Sequence, residues 1–302
     1  MAAIDFLNPA PLMWNFEHEP TAAGLHARYA IEKMTPAECA AALAGGAADL
    51  GLIPIGAYAT IPGLAVVPGC AIASLGAIRS LLLVVRSLGR TDGDVQGGEE
   101  PDLEPPTASE LGRIDAVALD SASRTTALYT QILFRRFWGR TPVFFEHEPD
   151  LDAMLRAGDA AVLIGDPALH ALRDRDERLQ RTGERLRYLD LGHLWRGATG
   201  TAWVSAFWAV RAVSFASLSV GERLLVIEDL QASRDAGLAH IPELAAEWAP
   251  RLGLRAGTVH AYLSRNIHYG LDADVVAGVE RFFGEAHALG LIPALPRIDW
   301  AG

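Results

Sequence analysis

The sequence predicts an α/β protein built as two lobes of similar design, and three observations carry that expectation. Short apolar runs such as "AAIDFL", "LGLIPI", "SLLLVV", "IDAVALD", "AAVLIG" and "WVSAFWAV" alternate with longer stretches of helical period, the pattern of mostly buried strands set between helices. Two segments echo each other. "LAGGAADLGLIPIGAYA" from residue 43 and "LRAGDAAVLIGDPALHA" from residue 155 each read as a helix end, a glycine breaker, a strand, a turn and a new helix start. The echo extends upstream, where "AIDFL" runs into the turn at Asn8 and "DAVALD" runs into "SASRTT". Each lobe then presents a strand C-terminus and a helix N-terminus to a shared cleft, the place where open α/β sheets bind ligands.

Taken in order, the first strand leads to the tripeptide Asn8-Pro9-Ala10, and the proline restricts the asparagine before it to extended geometry. The apolar stretch 65–85 is long enough to cross a bilayer, but Pro68, Gly69 and Arg79 interrupt it, so it reads as buried strands joined by a turn. "GRTDGDVQGGEEPDLEPPTASE", rich in Gly, Pro and acid, reads as a solvated excursion near a lobe boundary. Beyond residue 205 the pattern predicts helices over 218–235, 240–252 and 272–289, with Val276, Val279, Phe282 and Phe283 at helical spacing. The expected division is 1–88 plus 205–302 for lobe I and 89–204 for lobe II.

Composition limits the function. A net charge of -11 works against the phosphate attraction that nucleic-acid binding needs, so no nucleic acid is expected. Asp5 interrupts the first apolar stretch and no cationic segment precedes it, so a cytoplasmic protein without a membrane anchor is expected. Cys39 and Cys70 form no paired motif, which fits a reducing compartment. The P-loop, GxGxxG, GxSxG and HExxH patterns are absent, so no cofactor and no metal is expected. "FEHEP" occurs at 16–20 and 145–149, but on a strand neighbouring side chains point to opposite faces and do not converge on an ion.

The most informative stretch is "LDSASRTTALYTQILF". A strand ends at Asp120, and Ser121, Ser123, Thr125 and Thr126 crowd the turn before an apolar helix, whose free N–H groups and positive dipole end favour an anion. Arg124 adds a fork suited to a carboxylate; an ordinary Ser/Thr cap with a surface arginine explains the same residues. Gly165 and Asp166 lie between a strand and a helix start. The glycine permits close backbone approach to a ligand, and the aspartate is either a cap or an acceptor. Arg79 and Ser80 head an otherwise apolar strand and need polar partners if buried.

"FLNPAPL", "GAADLGLIP", "IASLGAIRSLLL", "LDSASRTTAL", "DAAVLIGDPAL" and "YLDLGHLWRGATG" followed by "AFWAVR" resemble, in that order and over nearly the whole chain, the chorismate dehydratases of menaquinone biosynthesis. The resemblance implies a two-lobed periplasmic-binding-protein-like type II fold and a cytoplasmic enzyme of the futalosine route. It implies loss of water from chorismate, a dicarboxylate, to give 3-[(1-carboxyvinyl)oxy]benzoate. The family's motif residues fall on Asn8 and Ser80, which are expected to be catalytic. Arg79, Ser121, Ser123, Arg124, Thr125, Thr126, Gly165, Asp166, Thr199 and Gly200 are expected to bind substrate. The sequence departs from the family where Pro9-Ala10-Pro11 replaces the usual Thr-Leu-Pro, and where the usual "TGLPFVFA" reads Thr199-Gly200-Thr201-Ala202-Trp203-Val204-Ser205-Ala206. The later naphthoate synthase of the same pathway would bring a catalytic histidine, a role that the resemblance gives to no residue of these motifs. A binding module for small carboxylates is the alternative from another class.

Overall fold

Strands form two separate sheets in the computed structural model, which describes residues 1–87 and 99–302. In chain order they are β1 (Ala2–Ile4), β2 (Glu32–Met34), β3 (Leu50–Pro54), β4 (Leu64–Ser74), β5 (Leu81–Arg86), β6 (Ala116–Asp120), β7 (Val143–His147), β8 (Ala160–Ile164), β9 (Leu186–Asp190), β10 (Trp203–Arg211) and β11 (His268–Leu271). The first sheet has the order β11-β4-β10-β3-β1-β2 and the second β7-β6-β8-β5-β9. Two compact units result, Met1–Ala73 with Val204–Gly302, and Ser74–Trp203.

The first crossing falls at 73/74 rather than after residue 88, because β5 pairs antiparallel with both β8 and β9 and so belongs to the second sheet. The apolar stretch 65–85 is accordingly two buried strands, β4 and β5, with a turn between them. Among the described residues no helix is long and apolar enough to cross a membrane.

In the first unit β1 pairs parallel with β2 and β3, and β10 enters antiparallel beside β3 with Ala206 opposite Pro54. The helices Val220–Ala239, Ile241–Leu252 and Ala273–Ala288 match the predicted amphipathic segments. The long helix carries the turn after β1. A Cβ on Gly237 would collide with the Pro11 backbone, and the Asn15 N–H donates to Ser233 Oγ at 3.0 Å. Glycine is required there because the helix and the 3-10 turn Ala10–Met13 approach closely.

In the second unit β6, β7 and β8 are parallel and β5 is reversed between β8 and β9. The C-terminal ends of β6, β7, β8 and β9 therefore share one edge with the start of β5. Its core holds Leu82, Val84, Ala118, Ala161, Leu163 and Tyr188, from the predominantly apolar strands that a sheet covered on both faces demands.

Two expectations need correction. The acidic stretch is not a solvated excursion throughout. Residues 88–98 lie outside the described residues, but Asp102 and Glu110 are buried. Arg187 Nη1 lies 2.8 Å from Glu110 Oε2 with both side chains 1% exposed, and Arg175 Nη2 lies 3.6 Å from Asp102 Oδ2. Internal arginines bind these acids into the unit because a buried carboxylate needs a partner. The first "FEHEP" is not a strand, since Glu17 ends the helix Trp14–Glu17. Its members engage different partners, Glu17 with Lys33 at 2.9 Å and His18 with Glu247 at 3.0 Å.

Candidate functional site

Asn8 stands four residues past the end of β1, in a turn rather than on the strand itself. Pro9 is the N-cap of the 3-10 helix Ala10–Met13, in which Ala10, Pro11, Leu12 and Met13 are all buried. The turn is thus seated by its apolar side, and the half-buried Asn8 side chain makes no hydrogen bond to another described residue. A carboxamide with two donors and an acceptor in such a place is available to a ligand.

The edge of the second sheet gathers most of the other predicted residues. Arg79 and Ser80 precede β5, Ser121 follows β6, and Gly165 follows β8. The strands are locked in register here, with Leu81 opposite Ile164 and Leu82 opposite Asp190. The Gly165 N–H donates to the Ser80 carbonyl at 2.8 Å, which places Ser80 directly beside the start of the helix Gly165–Arg173. Gly165 has φ +58°, and a Cβ there would meet nothing within 4 Å. Backbone conformation, not crowding, demands the glycine.

Ser123 is the N-cap of the helix Arg124–Ile132 and accepts the Thr126 N–H at 3.2 Å. Ser123 Oγ and Thr126 Oγ1 are 3.1 Å apart, and Thr125 and Thr126 are buried. Capping therefore accounts for Ser123 and Thr126 structurally and Thr125 is turned into the interior, while Ser121 and Arg124 are exposed. Arg124 makes no ion pair or hydrogen bond through its guanidinium among the described residues, so a free cation stands at the positive end of a nine-residue helix.

Arg79 is not an open clamp. Its guanidinium is buried, donates to the Glu99 carbonyl at 2.7 Å and lies 3.1 Å from Glu100 Oε1. Asp166 is not a cap, because the helix begins at Gly165 with Ile164 as its N-cap and Asp166 lies in its first turn. Thr199 and Gly200 are not on this edge. They end the helix Leu191–Thr199, about 13 Å along its axis from its start. Thr199 Oγ1 donates to the Trp195 carbonyl at 2.8 Å, and Gly200 is the left-handed C-cap. Both residues have a helix-terminating role, at the dipole end that repels anions.

Two residues missed by sequence reasoning organise the edge. Asp120 and Asp190 are the last residues of β6 and β9 and are both buried. Asp120 accepts the N–H groups of Ala122 and Ile164 at 3.0 and 3.2 Å, tying the β6 turn to the end of β8. Asp190 accepts from Ile78 at 2.9 Å, Arg79 at 2.6 Å and His193 at 2.9 Å. Burial pushes both carboxyls above the ordinary aspartate range, against the pull of these N–H groups. The signal was present as "LD" closing an apolar run at 119–120 and again at 189–190.

The architecture defines a class, the periplasmic-binding-protein-like fold. It is similar to protein AF1704 from Archaeoglobus fulgidus, at 16% identity and TM-score 0.60 over 96% of this chain and 97% of that one. The periplasmic aliphatic sulphonate binding protein SsuA of Escherichia coli matches at 16% identity and TM-score 0.61, over 98% of this chain and 89% of that one. The alkanesulfonate-binding SsuA of Xanthomonas axonopodis pv. citri matches at 14% and 0.62, over 99% and 96%. At such identities these likenesses establish the fold alone. The sequence itself is more specific: residues 1–288 match the menaquinone biosynthesis family, and the chain belongs to it.

Proposed function

We propose that this member of the menaquinone biosynthesis family is a chorismate dehydratase, a hydro-lyase that converts chorismate to 3-[(1-carboxyvinyl)oxy]benzoate. The observation that carries the reading is the edge of the second sheet. There a helix N-terminus with Arg124, unpaired among the described residues, offers a carboxylate site, and the buried strand-end carboxylates Asp120 and Asp190 have their oxygens occupied by backbone N–H groups. A dianionic substrate finds a cation and N–H donors there, and neither buried strand-end aspartate is an open base.

The chemistry is read from the residues that the family resemblance assigns to the site. Loss of water requires removal of the ring C3 proton and departure of the C4 hydroxyl. Asn, Ser, Thr and Arg are not bases near neutral pH. In this reading the side-chain carboxylate of chorismate takes the C3 proton, the C3–H electron pair forms the new ring double bond, and the C4–O bond breaks. The hydroxide leaves with that proton as water, and the ring becomes aromatic. Asn8 hydrogen-bonds the ring carboxylate or the leaving hydroxyl, while Ser80 and the turn at 121–126 fix carboxylates. Holding the arm against C3 in this way can contribute about 7 to 11 kcal/mol in favourable cases.

Purified protein incubated with chorismate, without added metal or nucleotide, should yield a product lighter by one water, followed by chromatography and mass spectrometry. The shared fold with sulphonate-binding proteins favours a second reading, capture of a small anion without chemistry. Thermal stabilisation by chorismate with no product would select it.

A further inference from the structure

The structure assigns Asp190 as the positioning residue of Ser80, an assignment that rests on the reading of Ser80 as part of the reacting site. Asp190 is fully buried at the end of β9, and every hydrogen bond to its carboxylate comes from a backbone N–H. Capping the helix Leu191–Thr199 requires only the bond from His193. The bonds from Ile78 and Arg79 join residues more than a hundred positions apart, and capping does not account for them.

They fall on an unusual turn. Arg79 has φ +70° and is the only non-glycine residue in the left-handed region among the described residues. An L-residue with a long side chain adopts that conformation only where its surroundings over-determine it. Here the Asp190 carboxylate collects the two N–H groups that the turn exposes, and the Arg79 side chain is held by Glu99 and Glu100. Gly192 completes the fit, since a Cβ there would press on Ile78 and on the Gly76 carbonyl. The left-handed residue reverses the chain so that Ser80 leads into β5 with its carbonyl on Gly165. Charge matters as well as shape: three N–H dipoles converge on one carboxylate, and an amide could turn only one acceptor oxygen toward them.

The test uses Asp190→Ser, which keeps a helix cap but cannot span to both Ile78 and Arg79, with Asp190→Asn as a second variant should the first fold poorly. On chorismate, Asp190→Ser should lower kcat about tenfold or more with KM within about twofold, the signature of lost transition-state positioning. In a Ser80→Ala background the same change should cost about twofold or less, because the two residues act as one unit. Urea unfolding gives a readout independent of turnover. The drop in midpoint caused by Asp190→Ser should shrink by about half or more in an Arg79→Gly background, where the left-handed conformation carries no penalty. Equal losses of kcat with and without Ser80, or equal midpoint shifts with and without Arg79, would reduce Asp190 to a helix cap and overturn the assignment. If the unaltered protein fails to dehydrate chorismate, the proposed reaction falls, and the urea cycle alone decides whether Asp190 holds the turn.

Discussion

Asn8 has the simplest environment of the proposed reacting groups, a half-buried carboxamide without a partner among the described residues, on a turn fixed by buried neighbours. Its removal should therefore cost function and not stability. Asn8→Ala is expected to lower kcat on chorismate by about 10² to 10³, the loss typical of a missing oriented donor, with unfolding free energy changed by less than about 0.5 kcal/mol. A matched pair of steady-state kinetics and urea titration checks both halves. Arg124 predicts a different signature. Arg124 is exposed and its guanidinium is unpaired among the described residues, so Arg124→Ala should raise KM by about tenfold with kcat nearly unchanged, as uniform binding requires. The difference from the unaltered protein should narrow as salt rises. Both residues stand out in the sequence as candidates, one through a proline-fixed asparagine and the other through a hydroxyl-rich helix start. It could not show that Arg79 is spent on Glu99 and Glu100, because those partners lie twenty residues away in a stretch that reads as solvated.

At the scale of elements, the alternation of apolar runs and helical periods places the buried strands β1, β3, β5, β6, β8 and β10 and the three late helices, since buried strands and amphipathic faces leave a local record. The crossing between units was not legible in the same way. "SLLLVV" reads as a buried strand of either sheet, and only its pairing with β8 and β9 decides which. The pinned part of the acidic stretch was hidden for a related reason, because its partners Arg175 and Arg187 belong to a helix and strand some eighty residues on. That contact yields a prediction. Arg187→Met removes the only ion-pair partner of Glu110 among the described residues and leaves a carboxylate buried without a cation, which should cost about 3 to 5 kcal/mol in urea unfolding. Changing both residues together, Arg187→Met with Glu110→Met, should recover much of that loss.

For the whole molecule, acid stability tests the account of the second unit. Hydrogen bonds from Arg181 and Arg178 hold Asp152 below its ordinary value of 3.8, against the effect of burial. Burial alone would raise Glu184, but Arg178 and Arg86 outweigh it and hold its carboxyl below 4.5. A carboxyl whose folded pKa lies beneath its unfolded one contributes stability above the unfolded value and loses it as pH falls through the folded value. Asp120 and Asp190, raised by burial, have the opposite sign and gain on protonation. Arg178→Met should thus flatten the decline in stability between about pH 5 and about pH 3, seen as a smaller spread of urea midpoints across that range. The proposed function lies at this scale as well, since in that reading the bound molecule itself supplies the base. The most direct measurement compares chorismate with its side-chain methyl ester as substrates for the purified protein, scored by loss of one water. The account predicts that chorismate is dehydrated and that the ester, its internal base masked, is not. Dehydration of the ester at a comparable rate would contradict it by showing that a protein group takes the proton.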